Sequence, residues 1–257
     1  MRTILRVITA TLVGAALGCG SDSGTGPSGL SPSTSYKGVI TSSDGTTAGL
    51  VLTFTSAVAS PPAPMPTAAL ADPVSVTGVA TLPGGGTVNL TGSLDNGTLT
   101  MTGSGYTLTG TLTNGKFVGT FTGPAGATGA FTALSSSNVT PAYAYCGTYS
   151  AIITPGNIEE DGTFNAVVAG TVLTGQSVQN GGLGDVITIS GTASPGSEGK
   201  TNISINSNSA QGSITATGTI SADHTTLTGQ YQASVAGEPN AHADGTFSGA
   251  LCPGTTS

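Results

Sequence analysis

The chain has 257 residues, of which 7% are charged, 41 are Gly and none is Trp. Its formal net charge is −7, with five Lys and Arg against twelve Asp and Glu, which excludes a phosphate-neutralising nucleic-acid binder and a basic membrane-surface helix. So few charges also exclude a solvated disordered coil, and Val, Ile, Leu and Phe recurring among Gly, Ser and Thr describe a folded β-protein of one large or two small domains.

In chain order, Arg2 and Arg6 come first, then the apolar run Val7–Leu17, then Gly18 and Cys19. The run is too short to span a bilayer, which takes about 20 apolar residues. A positive start, a short apolar stretch and small residues before a cleavage point describe a signal peptide over 1–18. Ala16-Leu17-Gly18-Cys19 resembles the lipobox of bacterial lipoproteins, which signal peptidase II cuts after lipid is attached to the cysteine. The family prefers Leu where Ala16 stands and a small residue where Leu17 stands, and the same residues also fit a type I site cleaving before Cys19. Three cysteines in an exported chain leave one unpaired, and lipidation of Cys19 accounts for it. The resemblance implies export and a lipid anchor in the bacterial cell envelope. Gly20 in place of Asp implies the outer membrane by the enteric sorting rule, with neither face assigned. Residues 19–35 then read as a Ser/Gly/Pro tether with an r.m.s. reach of about 20 Å.

From 36 to 134 the pattern is short strands between turns, with no helical period. Strands are expected over 36–42, 47–58, 73–82, 86–94, 98–103, 106–113, 116–123 and 127–134. Leu108-Thr109-Gly110-Thr111-Leu112 alternates with the period of a half-buried strand. Asn114-Gly115 and Asn96-Gly97 are hairpin turns, because both residues tolerate positive φ. Ala59–Asp72, with four prolines, is long for a hairpin loop and reads either as a binding loop or as a passive insertion.

Residues 135–142 read as a linker. The second domain, 143–252, repeats the scheme over 145–154, 162–169, 170–178, 185–193, 200–207, 211–221, 225–235 and 243–252, and 253–257 is a tail. Three segments parallel the first half: Val74–Gly78 with Ile187–Gly191, Thr109–Thr113 with Thr217–Ser221, and Gly129–Leu134 with Gly245–Leu251. Cys146 opens the first strand of this domain and Cys252 closes the last. In a closed up-and-down barrel those two ends are neighbours, so a Cys146–Cys252 disulfide would clasp the seam. Export permits it, and closing a loop of about 100 residues adds up to ~4.7 kcal/mol in the entropic account. The first domain has no such staple and is expected to be the looser unless the two pack together.

Residues that could carry chemistry are few. The acids cluster at turns such as Asp44-Gly45, Asp95-Asn96-Gly97 and Asp223-His224, where turn chemistry alone places them. Glu238, His242 and Asp244 on a Pro-Asn segment make half a metal site, and zinc needs three or four ligands. Glu159-Glu160-Asp161-Gly162 offers oxygens to calcium without the spaced pattern of a calcium loop. Neither is assigned as a site, and no catalytic, metal-binding or cofactor-binding residue is expected. The Thr runs at 98–102 and 107–113 read as a solvent-facing strand surface, although alternation alone leaves open which face lines a lumen.

Gly115-Lys116-Phe117-Val118-Gly119-Thr120-Phe121-Thr122-Gly123-Pro124 with Gly129-Ala130-Phe131 resembles the strand pair that ends the barrel lobes of transferrin-binding-type surface lipoproteins. The resemblance covers about twenty residues and implies a β-barrel. The expectation is therefore all-β: two tandem antiparallel up-and-down meanders, as eight-stranded barrels or alternatively β-sandwiches. The expected role is a non-catalytic, lipid-anchored envelope protein with a binding or structural role. A small-ligand carrier is the first alternative and a turn-borne carboxylate enzyme the second. The expected partners are the membrane through Cys19 and an unidentified protein or small molecule.

Overall fold

Apolar residues alternating with Thr and Ser, interrupted every six to fourteen residues by turns, produce strand after strand. The computed structural model describes residues 35–55, 73–82, 85–180, 186–209, 212–235 and 237–255. Cys19, the signal peptide, most of the tether and the loop 59–72 lie outside them. The first half forms β1 (Ser35–Ser42), β2 (Thr47–Thr55), β3 (Val74–Thr81), β4 (Thr87–Asp95), β5 (Thr98–Gly103), β6 (Tyr106–Thr113), β7 (Lys116–Thr122) and β8 (Thr128–Ser136). The second forms β9 (Ala142–Thr154), β10 (Ile158–Ala169), β11 (Val172–Gln179), β12 (Ile187–Pro195), β13 (Thr201–Ser209), β14 (Gly212–Ile220), β15 (Thr226–Val235) and β16 (Glu238–Leu251).

Each set is sequential, antiparallel and closed, β8 onto β1 and β16 onto β9. These are two eight-stranded up-and-down barrels, and closure rules out the sandwich alternative. The hairpins behave as their sequences require: Asn114 and Gly115 take φ of 51° and 74°, the left-handed pair of a two-residue turn that matches strand twist. The main departures are in the second barrel, where β9, β10 and β16 begin earlier than expected.

Alternation sends the large apolar side chains inward. Leu99, Met101, Leu108, Phe117 and Phe131 are wholly buried in the first lumen, while Thr98, Thr100, Thr109 and Thr111 between them face out. A barrel embedded in lipid would present an apolar outer band instead.

Among the aliphatic side chains that fill both lumens one device recurs, an aromatic ring laid over inward-facing glycines. Phe131 covers Gly110 and Gly119, so that a methyl added at either would meet the ring at 2.6 Å. In the second barrel Phe247 covers Gly218 and Gly229 on the equivalent strands. Phe121 likewise covers Gly129, and Tyr231 covers Gly245. The cross-strand pairs Gly110↔Gly119↔Phe131 and Gly218↔Gly229↔Phe247 match rung for rung. Two of the three sequence parallels fall on these equivalent strands. The third does not: Val74–Gly78 lies on the third strand of its barrel and Ile187–Gly191 on the fourth, a coincidence of low-complexity sequence.

The barrels pack side by side through β1 and β8 against β9, β10 and β11. Val39 and Leu134 meet Ala142, Ala144, Val167 and Cys252 in an apolar patch. Beside it lies a buried polar cluster. The Thr41 hydroxyl donates to Gln176 Oε1 at 3.0 Å and accepts from Asn165 Nδ2, while Asn165 Oδ1 accepts from the Gln176 backbone N–H at 3.1 Å. Asn165, Gln176 and Thr41 are each at most 1% exposed, so every one of these groups needs its partner.

Cys146 and Cys252 are bonded across the β9–β16 seam, with Cα atoms 5.0 Å apart. Beyond Cys252 the chain turns back on the first barrel. Thr255 is 3% exposed and donates to the Cys252 carbonyl at 2.8 Å, and its methyl sits over Gly49 of β2. Residues 253–255 of the segment read as a tail are thus a further tie between the barrels, and the first barrel gains from its neighbour the support it lacks in disulfides.

Contacts along the interface fix which ends align. Val39 lies level with Val167, Thr41 with Asn165 and Gln176, and the turn at Gly45 with Thr163, whose hydroxyl donates to the Gly45 carbonyl at 2.9 Å. Ser35, where the chain enters β1, therefore shares one end of the body with the 137–141 link, and the β1–β2 and β9–β10 turns share the other.

The lumen packing predicts that Gly119→Ala, which puts a methyl 2.6 Å from Phe131 Cε1 and 2.5 Å from Gly110 Cα, destabilises by about 1–3 kcal/mol through overpacking. Thr109→Ala on the outer face should change stability by less than about 0.5 kcal/mol. Urea unfolding of the two variants checks both.

Candidate functional site

Two barrel mouths open at the end remote from Ser35. They occupy equivalent places in the two folds and differ in chemistry. At the first mouth Ile40 pairs with Phe131 and Ala48, and Phe121 lies over Gly129. Ile40, Leu82, Tyr106, Leu108 and Phe121 line a cavity of about 130 Å³, with Ser42, Asp44 and Thr46 at its rim. A ligand site for a drug-sized molecule measures about 300–1,000 Å³. This cavity admits something nearer the size of benzene, and the lumen beneath it is filled.

At the second mouth the same rungs carry polar groups. Tyr149 replaces Ile40: it pairs with Phe247 and Gly162 as Ile40 pairs with Phe131 and Ala48. Tyr231 replaces Phe121. The two tyrosine rings meet edge to face at 5.7 Å. Glu160 completes the group, with Tyr149 donating its hydroxyl to Oε1 at 3.4 Å. The Tyr231 hydroxyl is buried and has no hydrogen-bond partner among the described residues.

Burial dominates the electrostatics here. Desolvation pushes the Glu160 carboxyl above its ordinary value, opposed by the Tyr149 hydrogen bond and reinforced by nearby Asp161. Burial, then the Glu160 charge, pushes the hydroxyls of Tyr149 and Tyr231 upward. A half-buried carboxyl with one long hydrogen bond and no cation costs the fold something.

The strand geometry separates the residues that the sequence placed together. Glu159 and Asp161 point outward from β10 while Glu160 points in, so the run Glu159–Gly162 cannot converge on one cation. Asp161 instead accepts from Asn180 Nδ2 at 2.5 Å. The segment with Glu238, His242 and Asp244 belongs to β16 rather than to a loop. His242 Nε2 lies 3.2 Å from Asp244 Oδ2, whose partner oxygen accepts from Gln232 Nε2 at 2.6 Å. Glu238 pairs with Val235 at the start of the strand, four residues away. Asp223 does turn work: it accepts from the Ser221 hydroxyl at 2.6 Å and from the Thr225 N–H and hydroxyl, which hold it down at about 2. Among the described residues no three His, Cys, Asp or Glu side chains converge as metal ligands.

Charge is sorted by end. Asp44, Glu159, Glu160, Asp161, Glu238 and Asp244 lie toward the two mouths, with no Lys or Arg among the described residues there. Lys37, Lys116 and Lys200 all lie toward the Ser35 end, where Asp95, Glu198 and Asp223 balance them. Sequence order hides this, because the acids of the mouth end are spread over two hundred residues.

No protein family and no curated protein matches this sequence. Three solved structures resemble the fold. Intact Ap-TbpB, with N and C lobes, is 9% identical with a TM-score of 0.31, over 81% of this chain and 64% of that one. A double mutant of the vaccine antigen Transferrin Binding Protein B from Haemophilus parasuis Hp5 is 9% identical with a TM-score of 0.32, over 86% and 76%. A protein described as an outer membrane protein of Bacteroides fragilis NCTC 9343 is 14% identical with a TM-score of 0.29, over 85% and 97%. This chain thus spans less than two thirds of the first. The barrel assignment rests on strand order and closure in this chain itself.

Glu160 makes a pH prediction with a definite sign. Because its folded-state value is raised, the folded state holds the proton more tightly than the unfolded chain, and stability falls as pH rises above about 4.5, the ordinary value. Glu160→Gln removes that loss. Its melting temperature should exceed the parent's at pH 7, with the difference vanishing near pH 4 in thermal unfolding followed by circular dichroism.

Proposed function

We propose that this chain is a non-catalytic, lipid-anchored protein of the bacterial cell envelope, whose paired barrels form one body that presents its mouth end for binding. The observation that carries the reading is the opposition of the two ends. The tether leads into β1 at Ser35, so a lipid on Cys19 would hold that end toward the membrane. Both mouths, with the acids of β10, β16 and the β1–β2 turn around them, then face away. The end near the membrane is balanced in charge, which suits an anionic lipid surface better than the acidic end would.

The filled lumens support a surface-binding role over a carrier role. A carrier needs an enclosed volume, and the cavity at the first mouth is about 130 Å³. Among the described residues the outward faces carry mainly Thr and Ser, with Val79, Val139, Ile152, Ile158 and Val172 as the exposed large apolar side chains. Binding specificity would then come from the turns and mouths, the usual place for it on a rigid barrel.

The anchor is tested by fractionating cells of the native host. The parent chain should partition into detergent with a diacyl or triacyl mass added at Cys19, and Cys19→Ser should move at least tenfold more protein to the soluble fraction with unchanged circular dichroism. A membrane-bound parent with an unmodified Cys19 would contradict the reading.

A further inference from the structure

We infer that the mouth of the second barrel, built from Glu160, Tyr149 and Tyr231, is a site for the ammonium or guanidinium group of a Lys or Arg side chain presented by a partner protein. This deepens the reading of the mouth end as the binding end and rests on it.

Comparison of the two barrels carries the argument. At equivalent rungs the first barrel closes its lumen with Ile40 and Phe121, and the second with Tyr149 and Tyr231. Apolar side chains suffice for packing there, so the hydroxyls are not required by the fold. One donates weakly to Glu160, and the other is buried without a partner among the described residues. Leaving a buried hydroxyl unpaired is unfavourable, so such a group calls for an explanation, and a ligand that satisfies it is one.

The chemistry of the three groups converges on a cation. Glu160 offers a carboxylate at the lumen entrance. The Tyr231 hydroxyl is buried and unpartnered among the described residues, and the two rings meet edge to face at 5.7 Å, aromatic surface of the kind that attracts a cation within about 6 Å. Glu159, Asp161, Asp244 and Glu238 stand on the surrounding strands with no Lys or Arg among the described residues there, and with His242 set against Asp244 alone. That field attracts positive charge toward the mouth and repels anions. An isolated carboxyl pressed into this setting destabilises the empty protein, and an arriving ammonium would stabilise its ionised form. Loss of stability at a site that packing does not require is the signature of a binding residue.

The partner is taken to be a protein because the outward acids extend the negative surface well beyond the mouth. A small cation would need only the mouth, whereas a basic segment would use both. Titration of the full chain with acetyl-Gly-Lys-Gly-Lys-Gly-amide, followed by the NMR signals of the Tyr149 and Tyr231 rings, tests this at low salt. Saturable binding is expected, with at least tenfold weaker binding of the peptide in which norleucine replaces both lysines. Glu160→Gln should weaken the lysine peptide at least tenfold while raising the melting temperature, which excludes misfolding as the cause. Tyr231→Phe, which restores the residue type of the first barrel, should weaken it severalfold. Equal binding of the norleucine peptide, unchanged affinity in Glu160→Gln, or no binding at all would overturn the site. Spermidine binding tenfold more tightly than the peptide would overturn the protein source. None of these results touches the anchor at Cys19, whose test is independent.

Discussion

A closed eight-stranded barrel has a lumen only wide enough for side chains to fill, and filling it is the constraint on which this molecule depends. With no Trp and only six Phe and six Tyr, the chain meets it by economy. Rings pack on one another in small groups, Tyr36 with Phe54 and Phe117 in the first lumen and Phe164 with Phe247 in the second, and glycine beneath several of them makes room for the ring. Phe131 over Gly110 and Gly119, and Phe247 over Gly218 and Gly229, are the same solution used twice. The high glycine content is thus partly core design, where inward glycines and rings interlock, and only partly turn chemistry.

Two such barrels stand together because the seam between them is itself a small core. The apolar patch around Val39 and Val167 excludes water, and the Thr41–Asn165–Gln176 cluster fixes the alignment, since each polar group is buried and satisfied by a partner on the other barrel or on an adjacent strand. The disulfide sits at the margin of that patch and the C-terminal turn reaches over it to Gly49. Alignment has a functional consequence. It sets both mouths at one end and the entry from the tether at the other, and the sorting of lysines from acids follows the same axis. On equivalent rungs one barrel places Ile40 and Phe121 and the other Tyr149 and Tyr231, so the two mouths differ in chemistry while sharing their packing.

Much of the fold was legible in the sequence because period-two alternation and Asn-Gly turns are local signals. The strand expected at 98–103 is β5, and the one expected at 106–113 is β6. The cysteine pair was legible because topology brings the ends of first and last strands together. The direction of the lumen was not, since Thr and Leu alternate equally well either way; only burial shows that Leu99 and Leu108 point in. The glycine–ring device is invisible for a related reason: Gly110, Gly119 and Phe131 meet only through register across three strands. Likewise Glu159, Glu160 and Asp161 look like one cluster until the strand turns the middle one inward. Glu238–His242 read as a loop because Pro239 and Asn240 are turn formers, and the ladder is interrupted at them: Glu238 pairs with Val235 and His242 with Ser234 across a register shift, and β9 joins from His242 onward. Asn165 and Gln176 gave no signal, because nothing local marks a polar residue that will be buried by another barrel.

The claim on which the rest hangs is that the two barrels form one cooperative body. Native-state hydrogen exchange measures it, comparing the slowest amides of the two lumens in the parent and in Phe131→Ala. Both sets should exchange with the same free energy in the parent, and the substitution in the first barrel should lower the free energy for the amides around Ile203 and Ile205 in the second by the same amount. Amides of the second barrel that keep their full protection while those of the first lose it would show two independent domains, and the fixed opposition of the two mouths to the start of β1 at Ser35 would fall with that result.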